Sequence, residues 1–336
     1  MSGKNLGVGL DIGTMNIVCA RRTAKDKVET SRVRDAFLDL GSDAKKMLKL
    51  SGVNFIDRGE DGIIVVGDAA MEMANVFSRE VRRPLSAGLI SAGEMDALEI
   101  LGIMIKNLLG APAEANEACY FSVPASPVDD PTRDVIYHKG VFERIVTECG
   151  YNAIAGNEAM AIVYAECAKE MFSGLGISFG SGMCNIALSI NGIEGMAFSV
   201  ARGGDWIDAG AAKAVGSTAS RICALKEKGI DLMSPKSREE EALALYYKSL
   251  IEYALDNIAQ QFALVRDRFA LPKAIPIVVS GGTSKAGNFL EFFQANFEKK
   301  RKRFPIEVSE IRQASDPLNA VARGLLLQAM QEHDDE

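Results

Sequence analysis

Two short segments, separated by about half the chain, share one pattern that any fold must accommodate. Leu6 to Arg21 reads LGVGLDIGTMNIVCAR, and Leu175 to Leu188 reads LGISFGSGMCNIAL. In each, an apolar run leads into a glycine turn and a second apolar run leaves it, as in two half-buried strands joined tightly. One ungapped register makes Leu6/Leu175, Gly7/Gly176, Gly13/Gly182, Asn16/Asn185 and Ile17/Ile186 identical. An internal repeat of this kind predicts two related lobes, each presenting a hairpin to a shared cleft.

The turns have the chemistry of a phosphate clamp. In Gly13-Thr14-Met15-Asn16 the glycine lets backbone approach a ligand with no Cβ in the way, and successive N–H groups form an anion-binding nest. Asp11 stands at the mouth of the turn, where a carboxylate can hold hydrated Mg²⁺ beside phosphate. An ordinary hairpin, with Asp11 capping its own turn, would carry the same residues. The second copy, around Gly180-Ser181-Gly182-Met183, favours the clamp.

The 336 residues are enough for two lobes. A net charge of −7 argues against a nucleic-acid surface, which needs clustered Lys and Arg. The run Lys299-Lys300-Arg301-Lys302-Arg303 is the exception, and is read as a solvated loop before a strand at 304–308. Six scattered cysteines without a CxxC pair read as buried free thiols. The start MSGKNLG is short and polar for a signal peptide, and no apolar run reaches a membrane span of ~18 residues. A cytoplasmic protein with no direct membrane anchor is expected.

Along the chain, 28–33 reads as a third strand, 36–50 as helical, and 53–56 and 62–66 as short strands. Ser91 to Leu109 carries the helical stripe Met95, Leu98, Leu101, Ile105 and Leu108. A strand at 118–123 stops at Pro124, and a helix at 134–149 ends at Gly150. Gly192 to Val200 reads as strand, and Ala201-Arg202-Gly203-Gly204-Asp205 opens a helix, with Asp205 as its cap or the glycines as a ligand approach. An amphipathic helix within 234–269, a buried strand at 274–280 before Gly281-Gly282-Thr283, and a last helix at 316–330 complete the reading. Alternating strands and helices predict α/β architecture.

The pattern DIGT at 11–14, its duplicate, Gly203-Gly204-Asp205, Ser280-Gly281-Gly282-Thr283 and Asp316-Pro317 resemble the five nucleotide-site segments of the actin superfamily. The resemblance covers nearly the whole chain and looks most like the bacterial actins of the MreB and MamK type, through residues 65–91 and DPLNAVARG at 316–324. It implies an actin-like two-lobe fold of duplicated RNase H-like domains with a nucleotide cleft between them. The implied first lobe is 1–155 with a small insertion at 34–75, joined by the C-terminal helix 318–336. The second is 156–317 with a helical insertion at 212–271.

The resemblance implies ATP or ADP with Mg²⁺ as ligands and Gly13, Thr14, Met15, Asn16, Gly180, Ser181, Gly182, Met183, Gly203, Gly204, Asp205, Gly281, Gly282 and Thr283 as nucleotide-binding residues. Asp11 would hold the metal through water. Gly156-Asn157-Glu158 occupies the place of the segment whose carboxylate positions the attacking water, so Glu158 is the catalytic candidate. A Glu at a helix start is also a plain dipole partner. The second hairpin departs from the family's D-x-G-x-G-T-T-D: Ser178 and Asn185 replace both aspartates, and Met183 replaces a hydroxyl donor. Slowed hydrolysis is expected, more than lost binding. Gly324 falls where the family packs its connecting helices.

The function implied is a filament that polymerises head to tail on binding ATP and hydrolyses it slowly, with unknown cargo or adaptor proteins. A non-polymerising nucleotide-binding adaptor is the alternative. A small-molecule kinase of the same superfamily is disfavoured, because His138 and His333 are the only histidines and no cysteines pair for a zinc motif. The absence of a GxxxxGK[ST] run excludes a Walker-type ATPase.

Overall fold

The computed structural model describes residues 6–334 apart from 24, 26, 78, 266–271 and 305. Its first glycine turn joins β1 (Val8–Ile12) to β2 (Asn16–Arg22), which continues antiparallel into β3 (Val28–Arg34). A small subdomain follows: β4 (Phe37–Leu40), α1 (Lys45–Leu50), β5 (Ile56–Asp57), β6 (Ile63–Val66) and α2 (Asp68–Phe77). Next come the short hairpin β7 (Leu85–Ser86) and β8 (Leu89–Ile90), α3 (Leu98–Leu109), β9 (Ala118–Val123), α4 (Val135–Glu148), β10 (Asn152–Asn157) and α5 (Glu158–Glu166). The order of the first main sheet is β10-β9-β1-β2-β3, with β9 and β10 parallel to β1.

The second half repeats this plan. It has β11 (Gly174–Phe179), β12 (Cys184–Ile190), β13 (Ile193–Val200), α6 (Gly204–Val215), α7 (Ala219–Glu227) and α8 (Arg238–Val265). After these come β14 (Ala274–Ser280), α9 (Phe289–Glu298), β15 (Glu307–Gln313) and α10 (Ala320–Asp334). The sheet order β13-β12-β11-β14-β15 is again an antiparallel meander whose first strand takes two parallel strands on its other side. Its core is packed by α6, α8 and α9, with Phe179 edge-on to Phe289 and Phe293.

The hairpin turns correct the register of the repeat. Gly13 N donates to Asn16 O and Gly180 N to Met183 O, each at 3.0 Å. Gly13 therefore corresponds to Gly180, two residues from the register that aligned it with Gly182. Asp11 then corresponds to Ser178, and Gly7 and Gly9 to Gly174 and Gly176. More side chains coincide in the sequence register, but the ladder is set by where each turn closes.

Other expectations need correction. Phe37 to Leu40 is strand, because Phe37, Leu38 and Leu40 are buried in pairing with β6, and helix begins only at Lys45. The segment at 53–56 contributes strand only from Ile56, and α2 was not foreseen. The helix expected from Ser91 starts at Leu98 after a 3₁₀ turn, with the side chain of Met95 outside the described residues. The last strand begins at Glu307, and α10 runs Ala320–Asp334. Residues 266–269 of the long helix also lie outside the described residues. The basic run is solvated, as expected, and is also tied down: Lys300 Nζ lies 2.7 Å from Asp256 of α8, Arg303 pairs with the same carboxylate, and Arg301 pairs with Glu298.

Each sheet's first strand is covered by a helix that follows the other sheet. A Cβ at Gly9 would lie 2.0 Å from Ala322 O of α10, and one at Gly176 would lie 2.3 Å from Ala159 O of α5. The two helices cross at Gly324, where a Cβ would fall 1.8 Å from Ala161 O. Main chain meets main chain there, so no rotamer can yield. Gly324→Ala is expected to destabilise by about 3 kcal/mol or more. Gly102→Ala in α3, where a Cβ meets nothing within 4 Å, should gain roughly 0.5–1 kcal/mol. Denaturant midpoints of the two variants against the parent check both signs.

Candidate functional site

The two turns face one cavity of about 360 Å³ between the sheets. Its wall includes Asp11, Gly13, Thr14, Met15 and Asn16 from the first hairpin, and Ser178, Gly180, Ser181, Gly182, Met183 and Asn185 from the second. Gly281, Gly282, Thr283 and Pro317 close another side, and Glu158 stands at the head of α5. Most of the residues singled out in the sequence therefore meet. The side chain of Met183 is buried, with a cross-lobe neighbour in Gly88 and Ser199 Oγ 3.5 Å from its sulfur.

Gly203, Gly204 and Asp205 lie behind the second loop, not on the cavity wall. Gly204 N and the Thr283 hydroxyl both donate to Gly180 O, at 2.9 and 3.0 Å, and Asp205 N donates to Ser181 O at 2.8 Å. The start of α6 is thus spent on the loop's carbonyls, while Gly180 N closes the turn on Met183 O. Gly203 is the N-cap, so Asp205 is free to pair with Arg83 of the first lobe at 3.0 Å.

Glu158 is not needed as a cap. Asn157 fills that place, its side-chain oxygen accepting from Ala159 N at 2.9 Å and Met160 N at 3.0 Å. Glu158 instead accepts from Asn185 Nδ2 at 2.8 Å, while Asn185 Oδ1 accepts from Ala125 N at 3.2 Å. Loss of water pushes the Glu158 carboxyl well above the usual range, and the neighbouring Asp11 pushes it further; the Asn185 bond opposes both. Asp11 is likewise raised by burial and held down by the Ser122 hydroxyl. Two crowded carboxyls of this kind suit a cation or a proton-accepting role. Among the described residues no three His, Cys, Asp or Glu side chains gather as a metal site, and the cavity wall offers Asp11 as the carboxylate beside the first turn.

Sequence reasoning missed three contributors. The tip of the β7–β8 hairpin wedges between the loops: Gly88 N donates to Thr14 Oγ1 at 3.1 Å, and a Cβ on Gly182 would lie 2.0 Å from Gly88 N. Arg133 fastens the tip through Ala87 O at 2.6 Å. Lys226 and Glu227, at the end of α7, line the cavity, with Lys226 bonded to Asp208 at 2.6 Å and Gly204 O at 3.2 Å. Arg34, the last residue of β3, lies against Glu227. A Lys-Glu-Lys-Gly helix end looks like any solvated one, so only topology reveals these.

A family model described as Volactin matches residues 6–329. No curated protein matches the chain in sequence. Among solved structures, a MamK double helical filament superposes with a TM-score of 0.69 at 17% identity, covering 97% of this chain and 98% of that one. MreB5 of Spiroplasma citri bound to AMPPNP gives 0.67 at 16% identity, with 99% and 98% covered. The ethanolamine utilization protein EutJ from Carboxydothermus hydrogenoformans gives 0.53 at 15% identity, with 95% and 88% covered. At these identities the likeness establishes an actin-like two-lobe fold.

The carboxyl pair makes a prediction in its own right. Asn185→Ala removes the bond that favours the charged form of Glu158, so its pKa should rise further. Asp11→Asn removes the repulsion, so it should fall. Carbon-13 NMR titration of labelled glutamate in the ligand-free protein reads both shifts, and movement in either opposite sense breaks the assignment.

Proposed function

The chain belongs to the Volactin family, and from that membership and the geometry of its cleft we propose that it is a nucleotide-dependent, filament-forming actin-like protein that hydrolyses ATP slowly. One observation carries the reading: two like glycine hairpins face a single cavity, with Asp11 and Glu158 between them. The proposed lobes are residues 1–155 with the C-terminal helix, and 156–317. The nucleotide lies between the loops, its phosphates on main-chain N–H groups and its adenosine against Gly281, Gly282 and Thr283. Bound AMPPNP in the Spiroplasma MreB5 structure and the filament assembly of MamK support the same reading.

In this reading Glu158, oriented by Asn185, holds the attacking water and accepts its proton. A base must be charged to accept a proton, so a cation beside Asp11 would be needed to draw the raised Glu158 carboxyl back toward its ionised form. Asp11 is the residue that would hold Mg²⁺ through water, and the ion would supply charge neutralisation on the phosphates. Ser178 brings no second carboxylate, which makes turnover slow. Among the described residues no helix is long and apolar enough to cross a membrane.

Sedimentation with and without ATP–Mg²⁺ tests assembly. The parent should pellet only with nucleotide, whereas a monomer at high concentration with a non-hydrolysable analogue would favour a nucleotide-binding adaptor. A Cβ at Gly282 meets only Leu318, at 3.6 Å, so Gly282→Val should fold and yet fill ligand space, losing both ATP binding and pelleting.

Hydrolysis separates the roles of the carboxyl pair from binding. Glu158→Ala should release phosphate about a hundredfold more slowly, the effect of losing ~3 kcal/mol from one preorganised group, while filaments persist or last longer. Ser178→Asp should raise turnover. Equal rates in Glu158→Ala and the parent would leave Glu158 without its role.

A further inference from the structure

A nucleotide would bring several negative charges into a cavity that already holds Asp11 and Glu158, so the cations on its wall matter. Arg32, Arg34, Lys226 and Lys285 line it, and of these Lys226 is committed to Asp208 and Gly204 O. Arg34 is not matched in the same way. The β2–β3 ladder sets it opposite Asn16, at the exit of the first glycine turn, and its Nη2 lies 3.3 Å from the sulfur of Met15 within that turn. The same Nη2 donates to Glu227 Oε1 at 2.7 Å, across the mouth of the cleft. Its Nε is buried with no partner.

A guanidinium has five N–H donors in a rigid fork suited to a two-pronged oxyanion, and a buried donor without a partner costs free energy. A thioether and one carboxylate oxygen use little of that fork. The pair is also asymmetric, with side-chain exposures of 17% for Arg34 and 45% for Glu227. Glu227 can return to water cheaply, while Arg34 stays fixed beside the loop.

We propose that Arg34 is a phosphate-binding residue of the cleft, held ready by Glu227 and handed to the nucleotide when it enters. The proposal rests on the nucleotide reading above. It makes Arg34 a reader of the phosphate chain and the Arg34–Glu227 pair a latch between the lobes, which the ligand replaces. The partner is defined by chemistry: a di- or triphosphate, in preference to the bare nucleoside.

Calorimetry with ATP and ADP, and displacement of labelled ATP by adenosine, tests this on the full chain. Arg34→Met keeps the apolar stem and should weaken ATP and ADP binding between about tenfold and a hundredfold, with adenosine unchanged. Arg34→Lys should recover part of the loss, since an ammonium restores charge without the fork. Glu227→Gln, which frees the guanidinium, should raise the ratio of ATP to adenosine affinity. Unchanged ATP affinity in Arg34→Met overturns the proposal, and so does an equal loss for adenosine. A parent that binds neither ATP nor ADP overturns the cleft reading itself, and this proposal with it.

Discussion

Everything in this molecule depends on main chain touching main chain where α5 and α10 cross. Gly324 lies against Ala161, while Gly9 and Gly176 lie against the carbonyls of Ala322 and Ala159. Each helix leaves one sheet and seals the first strand of the other, so neither lobe is complete without its partner's helix. The residues around the crossing are mostly small or branched and fully buried: Ala161, Ile162, Val163, Ala320, Val321 and Leu325. Side chains that small leave little slack, and the loops at the ends of β1 and β11 inherit that fixed spacing.

Away from the crossing, the lobes are joined by contacts of another kind. Arg83–Asp205, Arg34–Glu227 and the bond from Tyr253 to Asp129 are polar and partly exposed. Pairs of this sort contribute about 0–1 kcal/mol each. Main chain joins the halves in a further place, where Val128 N donates to Ser199 O at 3.0 Å and Ser199 N to Ser126 O at 3.1 Å. The β7–β8 tip is the intermediate case: it belongs to the first half, bonds Thr14 of one loop and presses on Gly182 of the other. A shift of either loop must therefore move it.

The fold class and most of the cavity wall were legible because they rest on glycine spacing and strand periodicity. Strands at 118–123 and 274–280 emerged as read, since continuous apolar runs bounded by Pro and Gly leave little choice. The repeat was recognised but set two residues off, because coincident side chains outvoted the turn bonds that fix register. The small subdomain was misread where Phe37 and Leu38 mimic a helix face but pair with β6. Gly203-Gly204-Asp205 read as ligand-facing because a glycine pair before a helix serves a phosphate or a neighbouring loop equally well. Arg34, Lys226 and Glu227 carried no local signal at all. They come from β3 and α7, and they meet only because the two sheets face each other.

The departures of the second hairpin make sense once Asn185 is seen bridging Ala125 N and Glu158. A carboxylate at 185 could accept from Ala125 but would repel Glu158, in a pocket where Asp11 already crowds it. An amide accepts on one side and donates on the other, so it can orient Glu158 without adding charge. Ser178, at the position that corresponds to Asp11, removes charge from the same place on the opposite lobe. Both replacements lower the electrostatic strain of the ligand-free cleft, and both leave fewer oxygens to order a metal and a water when phosphate arrives. In the function proposed above, such a cleft would keep its grip on a nucleotide through backbone and give up speed at the bond to be broken.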